Sequence, residues 1–149
     1  MKIDTTNWKI LKCLQQNARQ SNTAIANKVG ITSPAVAERI RKLEDAGVIE
    51  GYHAKVSHSK TDHQLKAIIT LRAFMGKLKP FIEKVKEFNE VVNCYRITGN
   101  ENIVMEVVLN NQKHLEQFID QLIKYGETST HIILSNIIEN NPIVERVKF

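Results

Sequence analysis

Residues 32–49 read TSPAVAERIRKLEDAGVI. Ser33, Pro34, Ala35 and Ala37 are small or rigid, and Glu38, Arg39, Arg41 and Lys42 follow them. Arginine and lysine can hold phosphates or reach the edges of bases, and a helix N-terminus attracts phosphate in its own right. Glu38 can accept a hydrogen bond from cytosine, or remain a solvated charge. The chemistry on offer is therefore recognition of a polyanion rather than bond making. The candidate contact set is Ser33, Pro34, Ala35, Ala37, Glu38, Arg39, Arg41 and Lys42.

Other residues capable of chemistry are dispersed. His53, His114 and His131 fall in different segments, and their spacing forms no acid–base pair. His58 and His63 lie in the polar run SHSKTDHQ, where a metal would need two further ligands. No cofactor motif is present. Cys13 and Cys94 are far apart and are expected to be two reduced core residues.

The charge distribution points the same way as the cationic stretch. The net charge is +5. Residues 1–60 hold ten Lys and Arg against five Asp and Glu, whereas residues 61–149 hold eleven of each. The whole excess lies before Thr61, which suits a polyanion partner held by the N-terminal part. No apolar run approaches the roughly 20 residues that span a bilayer. The N-terminus lacks the apolar stretch of a signal peptide, so a cytoplasmic location is expected.

A helix must position the cationic residues. At about 100° per residue, Val36, Ile40 and Leu43 share a narrow arc. Pro34, Ala35, Glu38, Arg41, Lys42 and Asp45 lie opposite, and Arg39 falls near the core edge, where an ion pair is the expected role. Thr32 or Ser33 caps this helix, Pro34 suits its first turn and Gly47 its stop. Two helices precede it. Asp4 can cap the first, with Ile3 and Trp8 as a hydrophobic staple and Ile10, Leu11 and Leu14 as its buried stripe. Ser21 or Asn22 caps the second, which buries Ile25, Ala26 and Val29 and ends at Gly30. After Gly47, VIEGYHAKV is expected to form a small β-hairpin, a wing. Residues 1–56 thus read as a winged helix-turn-helix, in which the first turn of the second helix of the motif enters the major groove of DNA.

Residues 57–64 read as a linker, and 65–149 alternate strand and helix. LKAIITLR (65–72) is a strand and 78–88 a helix; VVNCYRIT (91–98) and NIVMEVVL (102–109) are two strands around Gly99 and Asn100. Residues 114–125 are a helix and THIILSNII (130–138) a last strand. The order β-α-β-β-α-β is the ferredoxin-like plan, making an α+β chain. Val104 and Val108 point away from Ile103, Met105, Val107 and Leu109, and Ile133 and Ile137 away from Ile132, Leu134 and Ile138. The fold covers one sheet face with helices, so the other is too apolar for water and a second copy is expected to cover it.

ITSPAVAERIRKLEDAGVIEGYHAKV closely resembles the DNA-binding signature of the Lrp/AsnC, or "feast/famine", regulators. The upstream pieces ID (3–4), IL (10–11), NAR (17–19), Ser21 and IANKVG (25–30) fit as well, and the ITGN turn (97–100) falls at its usual place. The resemblance implies a homodimer, often assembled into octamers, that binds palindromic double-stranded DNA and responds to amino acids. Carried over, the effector site maps to Thr98, Gly99, Asn100, Glu101, Asn102, Thr128 and Thr130. The sequence departs from the family where an Asp followed by an aromatic is common; here stand Asn102 and Ile103, and a purely structural hairpin is the alternative. Two other functions fit the architecture: a nucleoid-like protein that wraps DNA, and an enzyme resembling sirohaem decarboxylases.

Overall fold

The computed structural model describes residues 3–146. The chain forms two compact units, one containing residues 3–55 and 138–146 and the other 56–137. Residues 138–146 group with the first unit, and residue 149, the expected end of the second, lies outside the described residues.

The first unit contains α1 (Thr5–Gln16), α2 (Asn22–Val29) and α3 (Ser33–Asp45). Each starts at a side-chain cap. Asp4 accepts from the Asn7 N–H, Ser21 from Ala24 and Thr32 from Ala35, each satisfying an N–H that a helix start leaves without a partner. Gly30 ends α2 with φ 80°, in the left-handed region where a side chain is disfavoured. Ile10, Cys13, Ile25, Ala26 and Val36 form the core, with Leu14, Val29, Ile31 and Ile40 packed against it.

The wing segment, residues 48–56, contains no strand, so the expected hairpin does not form there. The N–H groups of Val48 and Ile49 both donate to the Leu43 carbonyl, 2.9 and 3.1 Å, and Gly47 donates to Glu44. Val48 and Ile49 thus spend their N–H groups on closing the end of α3. Residues 138–146 lie in the same unit. The Gln15 carboxamide donates to the Ile143 carbonyl and accepts from its N–H, 2.9 and 2.8 Å, while Lys55 pairs with Glu139.

The second unit holds β1 (Leu65–Ala73), α4 (Leu78–Val85), β2 (Val91–Arg96), β3 (Ile103–Leu109), α5 (Gln112–Leu122) and β4 (Gly126–Ile132). The antiparallel sheet has the order β2-β3-β1-β4. Ala67, Ile69 and Leu71 join Ile103, Met105, Val107 and Leu109 in a core with Phe81, Phe118 and Leu122. Strand alternation puts Lys66, Ile68, Thr70, Val104, Glu106 and Val108 on the other face.

The last strand is Gly126–Ile132, not 130–138. Ile133 still donates to Lys66, one position after the start of β1, but Leu134, Ile137 and Ile138 lie beyond it and are exposed. The run Thr128–Thr130 pairs with β1 instead. Cys13 is buried as expected, whereas Cys94 is exposed on β2, an edge strand.

Gly126 explains where β4 begins. A Cβ at this position would lie 2.3 Å from the Arg72 carbonyl oxygen, a backbone atom with little freedom to retreat. Gly126→Ala is expected to destabilise the second unit by about 2–3 kcal/mol, as overpacking does. Thermal unfolding checks this, and an unchanged midpoint would show that the two strands can separate at no cost.

On the uncovered face Lys66 Nζ lies 2.7 Å from Glu106 Oε1, and Asn93 donates to Glu106 Oε2 at 2.7 Å. Both partners, Lys66 first, hold the Glu106 carboxyl below its ordinary value of 4.5. A carboxyl lowered on folding stabilises the fold above its unfolded pKa and loses that contribution as pH falls through the folded one. Stability should therefore fall as pH drops below about 4.5, and Glu106→Gln should flatten the curve there. Parallel acid titrations of wild type and variant would reveal an unchanged curve if the pair is inert.

Candidate nucleic-acid interface

The geometry between α2 and α3 is set by small residues. Ala26 is buried, Gly30 donates to its carbonyl at 2.8 Å and Ile31 to the same carbonyl at 3.2 Å, so the chain turns tightly into Thr32. Thr23 Oγ1 lies 3.5 Å from Ser33 Oγ, which places two hydroxyls at the mouth of the turn. Pro34 falls in the first turn of α3, where its missing N–H costs nothing.

Val36 and Leu43 are fully buried, which turns the opposite side of α3 outward. Pro34, Ala37, Glu38, Arg41 and Lys42 are exposed, with Ser33 and Ala35 half-exposed beside them. Arg39 takes a different direction. Its Nη1 lies 2.7 Å from Asp4 Oδ2 and 2.9 Å from Asn7 Oδ1. Asp4 thus caps α1 through one oxygen and ties α3 to it through the other, and the Arg39 guanidinium holds its carboxyl below the usual range. Arg39 stitches the framework. Asn7, buried at 7% exposure, completes that stitch, and nothing in its sequence neighbourhood marks it for this role. No local pattern links positions so distant along the chain.

The remaining cations of α3 are paired as well. Arg41 contacts Glu38 through Nε and Nη2, 3.2 and 2.9 Å, and Asp45 through Nη1, 2.9 Å. Lys42 lies 3.4 Å from Glu38. These contacts lower the Glu38 carboxyl and raise the Arg41 guanidinium, through the Arg41–Glu38 hydrogen bond first. Both stay charged at neutral pH.

The turn between β2 and β3 holds Thr98 to Asn102 of the other candidate set, while Thr128 and Thr130 lie on β4. Thr98, Gly99, Asn100 and Glu101 are exposed, and Gly99 has φ 118°. Asn102 is structural: its Oδ1 accepts from the Ala73 N–H at 2.8 Å, its own N–H donates to Leu71 at 2.9 Å, and its carbonyl accepts from Ile97. An amide oxygen makes the same bond to Ala73 as a carboxylate would, without the charge. Thr128 pairs with Leu71, which pairs with Ile103, so Thr128 lies at the same end of the sheet as the turn, two strand spacings or about 10 Å away. Thr130 lies further along, opposite Ile69.

The histidines do not converge. His114 pairs with Glu90 at 3.0 Å, His131 is on β4, and His53 belongs to the first unit. Among the described residues no group of His, Cys, Asp or Glu could hold a metal ion, and no helix is long and apolar enough to cross a membrane.

A family model for winged helix-turn-helix DNA-binding matches residues 3–50, and one for the Lrp/AsnC ligand binding domain matches residues 66–143. The chain belongs to the Lrp/AsnC family. This Lrp/AsnC protein is a DNA-binding transcriptional regulator. It is 35% identical to the uncharacterized helix-turn-helix transcriptional regulator YezC of Bacillus subtilis, over 90% of this chain and 95% of that one. The solved structure of Bacillus subtilis LrpC superposes with a TM-score of 0.88 at 27% identity, covering 93% and 99% of the two chains. The Lrp/AsnC fold is shared with a transcriptional regulator of Neisseria meningitidis, NMB0573, solved as a complex with L-Met: TM-score 0.90, 24% identity, 95% and 96% covered.

On α3 of this Lrp/AsnC protein, Arg41→Ala and Lys42→Ala are each expected to weaken DNA binding without unfolding the chain. Removing one phosphate partner lowers the slope of log affinity against log salt by about one. Titrations of labelled duplex at several salt concentrations measure this. Wild-type affinity and slope in both variants would remove these residues from the interface.

Proposed function

We propose that this regulator binds palindromic double-stranded DNA as a homodimer, with further assembly to an octamer, and reads each half-site with α3. The observation that carries the reading is the first turn of α3: capped, nearly bare, exposed at Pro34 and half-exposed at Ser33 and Ala35, with Arg41 and Lys42 following on the same side. Ser33, Pro34, Ala35 and Ala37 permit close approach to base edges; Glu38, Arg41 and Lys42 are the polar contacts, and Arg39 holds the helix in place. Assembly is supported by the uncovered sheet face, where Ile68, Val104 and Tyr95 present apolar surface beside the Lys66–Glu106–Asn93 cluster that a second copy would remove from water. The protein acts in the cytoplasm.

The turn Thr98–Asn102 with Thr128 and Thr130 takes an amino-acid-like effector between assembled second units. The L-Met complex of the Neisseria relative supports this class of ligand. Exposed main chain at Gly99 offers N–H groups to a carboxylate, and Glu101 offers a charge to an ammonium. Selection of bound duplexes from a random pool, with and without an amino-acid mixture, tests the whole reading. A palindromic consensus whose enrichment shifts with amino acids is expected. Uniform recovery of all sequences would replace it with a DNA-wrapping role.

A further inference from the structure

We infer that Glu38 is a specificity-determining residue of the α3 surface: it neutralises Arg41 and Lys42 off the operator and releases them only where the DNA supplies a hydrogen-bond donor to its carboxylate. The inference rests on the reading of α3 as the DNA-contacting helix.

The exposed side of α3 carries Arg41 and Lys42 interleaved with Glu38 and Asp45. Glu38 alone takes two nitrogens of Arg41, and its Oε1 also faces Lys42, while Asp45 takes the remaining Arg41 terminal nitrogen. With Arg39 committed to Asp4, every cation of this helix has an acidic partner. The positive excess that precedes Thr61 is therefore not concentrated on the surface that reads DNA. This is the reverse of what a helix built only for phosphate affinity would show.

Glu38 sits one turn beyond the bare N-terminal turn, so close approach of that turn brings its carboxylate near the DNA. Non-specific DNA offers Arg41 and Lys42 phosphates, but capture of both cations by phosphates leaves the Glu38 carboxylate uncompensated beside a polyanion. The exocyclic amine of cytosine, or of adenine, changes this, because it donates a hydrogen bond in the major groove. Glu38 then keeps a partner while Arg41 and Lys42 turn to phosphate or base. Exposed ion pairs of this kind contribute little to folding, so the effect belongs to binding and not to stability.

The test uses the full-length protein, a duplex selected from a random pool, and a random duplex of equal length. Glu38→Gln is expected to raise affinity for the random duplex about tenfold and to steepen its salt dependence, since an anion facing the phosphates is gone. Affinity for the selected duplex should not rise with it, so the ratio of the two falls about tenfold or more, the order expected for losing one base contact. Asp45→Asn, which removes one charge further from the N-terminal turn, should leave that ratio within about twofold, as a rim charge does. An equal change of both affinities, or no change in either, overturns the assignment, and so does an equal fall in the ratio for Asp45→Asn. If wild type selects no sequence at all, it is the reading of α3 as a sequence reader that fails.

Discussion

Met105→Lys is expected to unfold the second unit, whereas Val104→Lys should leave it folded and break the protein into monomers. The two residues are neighbours on β3 and take opposite faces. Met105 is fully buried in the core with Phe81 and Phe118. A lysine there has no acidic partner in that core, and an uncompensated buried charge costs about 3–5 kcal/mol, a large part of the stability of a unit this size. Val104 is half-buried on the uncovered face, between Thr70 on β1 and Tyr95 on β2. Its lysine can reach water in a single chain but not beneath a second sheet, and two-fold symmetry introduces it twice. Val108 shares that face but is already buried within one chain, at 6% exposure, so it separates the two effects less well. Circular dichroism and sedimentation together decide. Two folded variants of wild-type mass would show that this face holds nothing.

The second large effect follows from the first. Val104→Lys changes no residue of the DNA-contacting unit, yet its affinity for a selected palindrome should fall by about 10²–10⁴, the advantage of tethering two modules. Affinity for an isolated half-site should be the same in wild type and variant. Binding of both proteins to palindrome and half-site, by anisotropy, measures the difference directly. A Val104→Lys protein that is monomeric and still binds the palindrome like wild type would separate assembly from recognition.

How much of this was legible in the sequence alone differs from element to element. The three caps, the left-handed Gly30, and the Val36–Ile40–Leu43 stripe are decided within a turn of chain, and all are found where residue type and spacing put them. The alternation along β3 is also found as spaced, because a strand one position out of register would bring Glu106 into the core in place of Met105 or Val107. The split of the exposed and buried sides of α3 follows from the same kind of periodicity, so the candidate DNA-contacting surface was readable as a surface.

Its electrostatics were only partly readable. Glu38, Arg41, Lys42 and Asp45 lie within neighbouring turns, and their mutual pairing is a property of one helix. The Arg39–Asp4–Asn7 stitch joins positions far apart in sequence and exists only because α1 and α3 are packed together. The start of the wing segment shows a related effect: Val48 and Ile49 have strand propensity, but the Leu43 carbonyl takes their N–H groups once α3 has ended. Strand β4 can reach back to position 126 because a glycine there tolerates the Arg72 carbonyl, and its bonding to β1 ends with the Ile133 N–H on Lys66, one residue from where β1 begins, so most of the apolar run after it has no strand to join. Local periodicity and capping belong to the sequence, since their energies are settled within about one helical turn. Which distant backbone or side chain completes each remaining hydrogen bond was decided by the tertiary structure, since only packing brings those partners within about 3 Å of each other.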